Sequence, residues 1–211
     1  MRIVHFEISQ AMNCVRVLPP LFRAWLIPFT WALAVSLAYG QCKPAMDEVD
    51  AFDSTRTVAA KPVNIGYLIP SNFETANGPK MIEEAKLLFS FSENDSIRSF
   101  FLTVAVQERE FLRIDNDFNV LLLLDDEQVI ATMNVSDQGV FDPATNMRLY
   151  QHTCVVPLDL FFALTHLKVA KIRINYRTYK HTIDLSERQR TELREAVRCV
   201  GEAVQLIPLR P

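Results

Sequence analysis

The chain has 211 residues, of which 22 are Lys or Arg and 25 are Asp or Glu, so its formal net charge is −3 at pH 7. A chain without a basic excess is poorly suited to neutralise phosphates, which argues against nucleic acid as a partner. The five glycines form no phosphate-binding loop, and no motif implies a cofactor. The length is sufficient for one domain with a substantial hydrophobic core.

Residues 24–42 form an uncharged and largely apolar run that follows two arginines and contains Ala38 and Gly40 near its end. Basic residues, an apolar centre and small residues at a cleavage position are typical of a secretory signal. The sequence therefore predicts that residues 1–40 are a signal peptide and that the rest of the chain is exported, to the periplasm or outside the cell. The alternative is an uncleaved membrane anchor, because the run just reaches the length of a membrane span.

Residues 41–62 are polar and rich in charged side chains, and we predict a leader or linker there. A single β-rich domain is predicted over 63–205 and a frayed tail over 206–211. Within the domain, breaker residues predict a loop over 70–80. Strand composition or alternation of apolar and polar residues predicts strands over 63–69, 86–92, 99–107, 111–114, 119–124, 128–133, 147–156, 169–176 and 179–184.

Short turn-like connectors separate many of these segments, so neighbouring strands are expected to form antiparallel hairpins. The acidic tripeptide 125–127 is the expected turn before the strand 128–133. The run 121–124 is apolar without alternation, which predicts a strand that is covered on both faces.

Two helices are predicted near the C-terminus, a short one over 158–167 and a longer amphipathic one that begins after Ser186. Ser186 and Gln189 match a capping box, in which each side chain bonds the backbone N–H of the other residue. The longer helix has one apolar stripe, formed by Leu193, Ala196, Val197, Val200 and Val204. The predicted fold class is α+β, a mostly antiparallel β-sheet or sandwich of about eight strands with the C-terminal helix packed on the sheet.

Three cysteines, Cys42, Cys154 and Cys199, follow the predicted signal peptide. In an oxidising compartment we expect one disulfide among them. The pair Cys154–Cys199 is favoured because a predicted strand and the shoulder of the last helix would both lie near the core, whereas Cys42 falls in the predicted leader. The alternative interpretation is two unrelated buried thiols, which are common in hydrophobic cores.

Three histidines lie in the part predicted to be exported, with His152 and His181 in separate strands and His166 in the short helix. No pair has the spacing of metal ligands on one helix. They are candidates for a site only if the fold brings them together with a carboxylate such as Asp159 or Asp184. Scattered surface or partly buried histidines are the simpler interpretation.

Lys171 and Arg173 alternate with apolar residues in one predicted strand and would share its solvent-facing side. This basic face is a candidate for an acidic partner, although solvation alone explains most such faces. The stretch from Asp115 to Asp126 has oxygen ligands at alternate positions, as calcium loops do, but its sixth position is Val120 and not glycine. An ordinary turn is the better interpretation of that stretch.

The chain contains no nucleophile elbow and no recognisable setting for a catalytic cysteine. The leading hypothesis is therefore an exported, non-catalytic binding or interaction module whose ligand is a protein or a small molecule. One alternative is a periplasmic hydrolase or metal-dependent enzyme that uses His152 and His181. A second alternative is a membrane-tethered structural or assembly factor, which requires residues 1–40 to be retained.

Overall fold

The computed structural model describes residues 42–95 and 97–208 of the protein. The predicted signal peptide or anchor, residues 1–40, lies outside the described residues, as does the end of the predicted tail. None of the helices among the described residues is long and apolar enough to span a membrane.

Eleven strands and two helices make up the described part of the chain. In chain order the strands are β1 (Met46–Val49), β2 (Arg56–Ala59), β3 (Val63–Thr75), β4 (Gly78–Glu93), β5 (Arg98–Glu108), β6 (Asp117–Leu124), β7 (Val129–Val135), β8 (Val140–Asp142), β9 (Met147–Val156), β10 (Val169–Asn175) and β11 (Lys180–Asp184). The helices are α1 (Leu158–His166) and α2 (Glu187–Ala203), which confirms the predicted short helix and C-terminal helix.

The described strands pair in antiparallel fashion, which confirms the predicted α+β class with a mostly antiparallel sheet. They follow the order β1-β2-β4-β5-β9-β7-β6-β10-β11, with β3 paired to β4 and β8 paired to β9. The hairpins β4–β5 and β6–β7 form where short connectors predicted them. The sheet has more strands than predicted because β1, β2 and β8 lie in segments that carry little strand signal.

The stretch 41–62, predicted as a leader or linker, is part of the sheet. β1 pairs with β2, and β2 pairs with β4, where Val58 lies opposite Phe91. Val58 and Ala60 are buried in the core, although most of the residues that precede them are polar. The linker prediction was wrong because a short strand at the end of a sheet needs few inward-facing apolar residues, and its other side chains face water.

A two-stranded arm, residues 66–83 of β3 and β4, occupies the region where a loop was predicted. Pro70 pairs with Met81. Among the described strands β3 pairs only with β4, so the missing N–H of Pro70 costs no hydrogen bond to a second strand and proline is tolerated. The register of β3 and β4 shifts at Gly66, whose φ is +72°. A Cβ at residue 66 would overlap the Glu84 carboxylate, so this bulge requires glycine.

Two local strand predictions near β6 were wrong. The segment 111–114 forms no strand, and its Leu112 N–H instead donates to the Tyr150 hydroxyl at 2.7 Å. In the run 121–124, Leu122 and Leu124 are buried while the other two leucines are half-exposed. The strand is therefore covered by the core on one face only, and its outer face is apolar without being buried.

The inward-facing side chains form a hydrophobic core between the curved sheet and the two helices. The sheet curves far enough to bring β11 next to β3 and β4, although β11 lies at the far end of the strand order. The cap at Ser186 forms as predicted, because its Oγ accepts from the Gln189 N–H and its own N–H donates to Gln189 Oε1 at 2.8 Å. The apolar stripe of α2 is buried from Leu193 to Val200, and Val204 at the end of the helix is partly buried. Phe161 of α1 stacks on Phe100 with ring centroids 4.2 Å apart.

A disulfide joins Cys42 to Cys199, with Cα atoms 5.3 Å apart. The predicted pair Cys154–Cys199 was therefore wrong, and Cys154 is a free thiol that is fully buried in β9. Cys42 lies shortly before β1 in the chain. Because β1 and β2 belong to the sheet, Cys42 is held next to the face of α2 that contains Cys199. Burial raises the pKa of the Cys154 thiol to about 11.

Candidate ligand-binding cleft

An open cleft of about 690 Å³ lies between the arm, the end of β5 with the loop that follows it, and the turn before β11. Pro70 contributes from the arm, Glu108 and Arg109 from the end of β5, and Tyr179 and His181 from the β10–β11 hairpin. We call this region the His181 cleft. It is assembled from segments that are far apart in the chain.

Hydrogen bonds from the body of the protein hold the arm in place as one wall of the cleft. Arg109 Nη2 donates to the Pro70 carbonyl at 2.8 Å, and Lys80 Nζ donates to the Ala144 carbonyl at 3.2 Å. An isolated two-stranded hairpin is marginally stable in water, so these bonds contribute to keeping the arm in this orientation.

His181 lies between two glutamates on the floor of the cleft. Its Nδ1 donates to Glu108 Oε1 at 2.7 Å, and its Nε2 donates to Glu84 Oε1 at 2.8 Å. Because each ring nitrogen faces a carboxylate oxygen, both nitrogens carry a proton and the ring is an imidazolium. The three side chains are between 12% and 15% exposed, so little water reaches them. The cluster ties β11 to β4 and β5.

The charges of the two glutamates keep His181 protonated. Burial by itself would lower the pKa of His181, but the hydrogen bonds and charges of Glu108 and Glu84 outweigh it and raise the pKa to about 9. The same hydrogen bond to His181 lowers the pKa of Glu84, helped by the Tyr67 N–H and opposed by burial. The cluster is thus an imidazolium held by carboxylates across the neutral pH range.

His152 lies behind the cleft, in the core. Its Nε2 is 2.9 Å from the Tyr176 hydroxyl, and its ring stacks on Tyr150. Burial lowers the pKa of His152 to about 4, so the ring is neutral. Burial also raises the pKa of Tyr176, and the charge of Glu108 adds to that effect. The fold therefore places His152 and His181 in one polar network but not as a pair that faces a common ligand.

The remaining histidine and carboxylate candidates do not join this cluster. His166 is exposed at the end of α1, and Asp184 forms an ion pair with Lys171 at 2.6 Å on the outer face of the sheet. Asp159 lies in the first turn of α1. Within 42–95 and 97–208, no group of three or more His, Cys, Asp or Glu side chains is arranged to hold a metal ion.

Lys171 and Arg173 lie side by side on the outer face of β10, as their alternation predicted. Arg173 Nε donates to Thr182 Oγ1 at 2.9 Å, and Lys171 has the ion pair with Asp184. Both cations therefore have partners on β11. The two cations and the half-exposed leucines of β6, among them Leu121, line a small cavity of about 110 Å³.

The stretch with a calcium-like spacing has a structural role in the described chain. The Asp115 carboxylate accepts from Arg177 Nε at 2.8 Å, and the pKa of Asp115 is lowered by that bond. The Asp115 carbonyl also accepts from Asn119 Nδ2 at 2.7 Å. β6 begins at Asp117, so the stretch leads directly into a strand.

Sequence patterns missed the glutamates of the cleft, although one of them left a signal. Glu108 follows Val104 and Val106 at alternate positions of β5, so a carboxylate continues an inward-facing apolar stripe. A buried charge of this kind requires a partner, which predicts a polar cluster at the end of the strand. Glu84 left no comparable signal, because its position depends on the bulge at Gly66.

The fold and the cleft together define an α+β domain with a curved antiparallel sheet and a polar site where β11 meets β4 and β5. Comparisons with protein-family models, with curated proteins and with solved structures find no match to this chain. Its function is therefore inferred from the chemistry of the cleft alone.

We expect the free energy of unfolding to fall as the pH rises from 6.5 to about 9, because His181 is protonated in the folded protein but has its ordinary pKa in the unfolded chain. The raised pKa contributes stability that is complete below 6.5 and is lost as the pH passes about 9. Urea unfolding at pH values across this window measures the effect. His181→Gln should flatten the curve, and the exposed control His166→Gln should leave it unchanged. Parallel curves for the wild type and His181→Gln would contradict the assignment.

Proposed function

We propose that the protein is an exported, non-catalytic binding module whose ligand site is the His181 cleft. The observation that carries this proposal is the arrangement of His181, Glu84 and Glu108, which are held by one another at the floor of an open cleft of about 690 Å³. A concave site with a few fixed polar groups is typical of ligand-binding pockets. The Cys42–Cys199 disulfide supports export, because such bonds persist mainly in oxidising compartments.

The chemistry of the candidate catalytic groups favours binding over catalysis. A histidine that acts as a general base needs a ring nitrogen free to accept a proton, and both nitrogens of His181 already bond carboxylates. His152 is fully buried, and so is Cys154, whose raised pKa keeps it a thiol and not the nucleophilic thiolate. These positions lend little support to the hydrolase or metal-enzyme alternative.

A ligand screen followed by amide chemical-shift perturbation tests the proposal. We expect hits from a mixed library of small molecules and peptides to perturb the amides of Glu108, Tyr179 and His181. Glu108→Gln should lose these perturbations because it removes a carboxylate that fixes His181 in place, whereas the control Glu93→Gln at the other end of β4 should keep them. The proposal fails if hits perturb only residues outside the cleft, or if the protein turns over a substrate and His181→Gln abolishes the turnover.

A further inference from the structure

We infer that the group recognised in the His181 cleft is an ammonium group, as carried by an amine-bearing small molecule or peptide. This inference rests on the proposed function and names the chemistry of its ligand. It comes from the balance of charge in the cleft, from the burial of that charge and from the aromatic side chain beside it.

The lining of the cleft carries an excess of one negative charge. Its ionised groups are three carboxylates and two cations, namely Glu84, Glu108, Glu110, Arg109 and His181. The His181 cluster itself has two carboxylates for one imidazolium. Arg109 bonds the Pro70 carbonyl on the opposite wall at 2.8 Å, which directs one end of its guanidinium toward the arm.

The excess charge sits where water is scarce. The Glu108 side chain is only 12% exposed, and its neighbours include the buried Tyr176. A carboxylate in such a place is costly unless its charge is balanced. His181 donates to both glutamates but carries a single positive charge, so it balances only one of their two negative charges. A positively charged ligand group would complete the pairing, whereas an anionic group would add to the unbalanced charge.

An aromatic side chain stands next to this charge. Tyr179 is half-exposed on the cleft wall, and its ring meets the His181 ring edge-on with centroids 6.2 Å apart. A cation within reach of a tyrosine ring is attracted by the ring face. The apolar side chains of Leu112 and Ile69 line the same cleft, which suits an ammonium on a short hydrocarbon stem.

Titration of the purified protein with butylammonium chloride at low ionic strength tests the inference, since salt screens such contacts. We expect saturable perturbation of the amides of Glu108, Tyr179 and His181, and none from butanol or sodium butyrate. Glu108→Gln should weaken binding roughly tenfold or more, because a hydrogen bond to a charged partner is lost. Tyr179→Leu should weaken it about two- to fivefold.

Two further variants test the role of negative charge, one inside the cleft and one outside it. Glu110→Gln changes an exposed carboxylate, so it should fold even if Glu108→Gln does not, and it should also weaken butylammonium binding. Glu93→Gln, which removes an ion pair with Arg98 at the other end of β4, should leave the affinity unchanged.

The possible failures of the inference are distinguishable from those of the proposed function. Equal binding of butanol or butyrate in the cleft would overturn the ammonium assignment while leaving a cleft ligand. Saturable perturbation of the same amides by calcium or magnesium chloride, but not by butylammonium, would also overturn the ammonium assignment. If library hits perturb the protein only outside the cleft, the proposed function itself is overturned.

Discussion

Cys42→Ser should lower the free energy of unfolding by roughly 4–5 kcal/mol, because it breaks a disulfide that closes a loop of 157 residues. Without the disulfide the unfolded chain has more conformational entropy, which favours unfolding. Cys42 is exposed, so the serine creates no buried polar group and the effect belongs to the lost bond. Urea unfolding under oxidising conditions measures the loss. Peptide mapping without reductant should recover one linked pair, which contains Cys42 and Cys199.

The reduced protein provides the matched control. Adding reductant to the wild type should reproduce the stability of Cys42→Ser, and the variant itself should be insensitive to reductant. Cys42→Ser/Cys199→Ala should lose little more than the single variant, since both remove the same bond and alanine places no polar group at the buried position 199. A disulfide-linked peptide that contains Cys154 would contradict the Cys42–Cys199 pairing. So would a wild-type protein whose free energy of unfolding is unchanged by reductant.

Phe161→Ala should cost about 3–5 kcal/mol of unfolding free energy, the usual range for deleting a buried phenylalanine ring. Phe161 is fully buried and stacks on Phe100 at 4.2 Å and on Phe89 at 6.2 Å. It is the contact through which α1 packs on the aromatic cluster of β4 and β5. The measurement is the urea midpoint at constant slope, and the neighbouring Phe162→Ala serves as the control.

Phe162 is 40% exposed, so its truncation should cost about 1 kcal/mol or less. The pair compares equal changes of composition at adjacent helix positions, one turned to the core and one to solvent. Phe161→Leu should fall between the two because it keeps part of the buried volume. Similar losses for Phe161→Ala and Phe162→Ala would show that α1 does not pack on the sheet through Phe161.

Elements with a repeating local pattern were predictable from the sequence. The alternation through Phe100, Leu102 and Val104 identified β5, and the capping box at Ser186 identified the start of α2. Such patterns are visible because the core covers one whole face of the element. Every second residue of a strand, or every third and fourth residue of a helix, must then be apolar.

Elements that depend on a neighbour were not predictable in the same way. β1 and β2 contain as many polar as apolar residues. They are strands because β4 offers an edge to β2 and β2 offers one to β1. The arm contains Pro70 and other breakers, yet it stays extended because its two strands pair with each other and the body of the protein holds it. The strand propensity of individual residues predicts a strand poorly where pairing with a neighbouring strand supplies its stability.

By itself the sequence determined the fold class, the central hairpins and the buried face of α2, because these follow from short-range patterns. Only the tertiary structure decided that Cys42 bonds Cys199 and that His181 is held by Glu108 and Glu84. Those partners are 157, 73 and 97 residues apart. Contacts at such separations are set by strand register and by the curvature of the sheet, neither of which any short segment of the chain encodes.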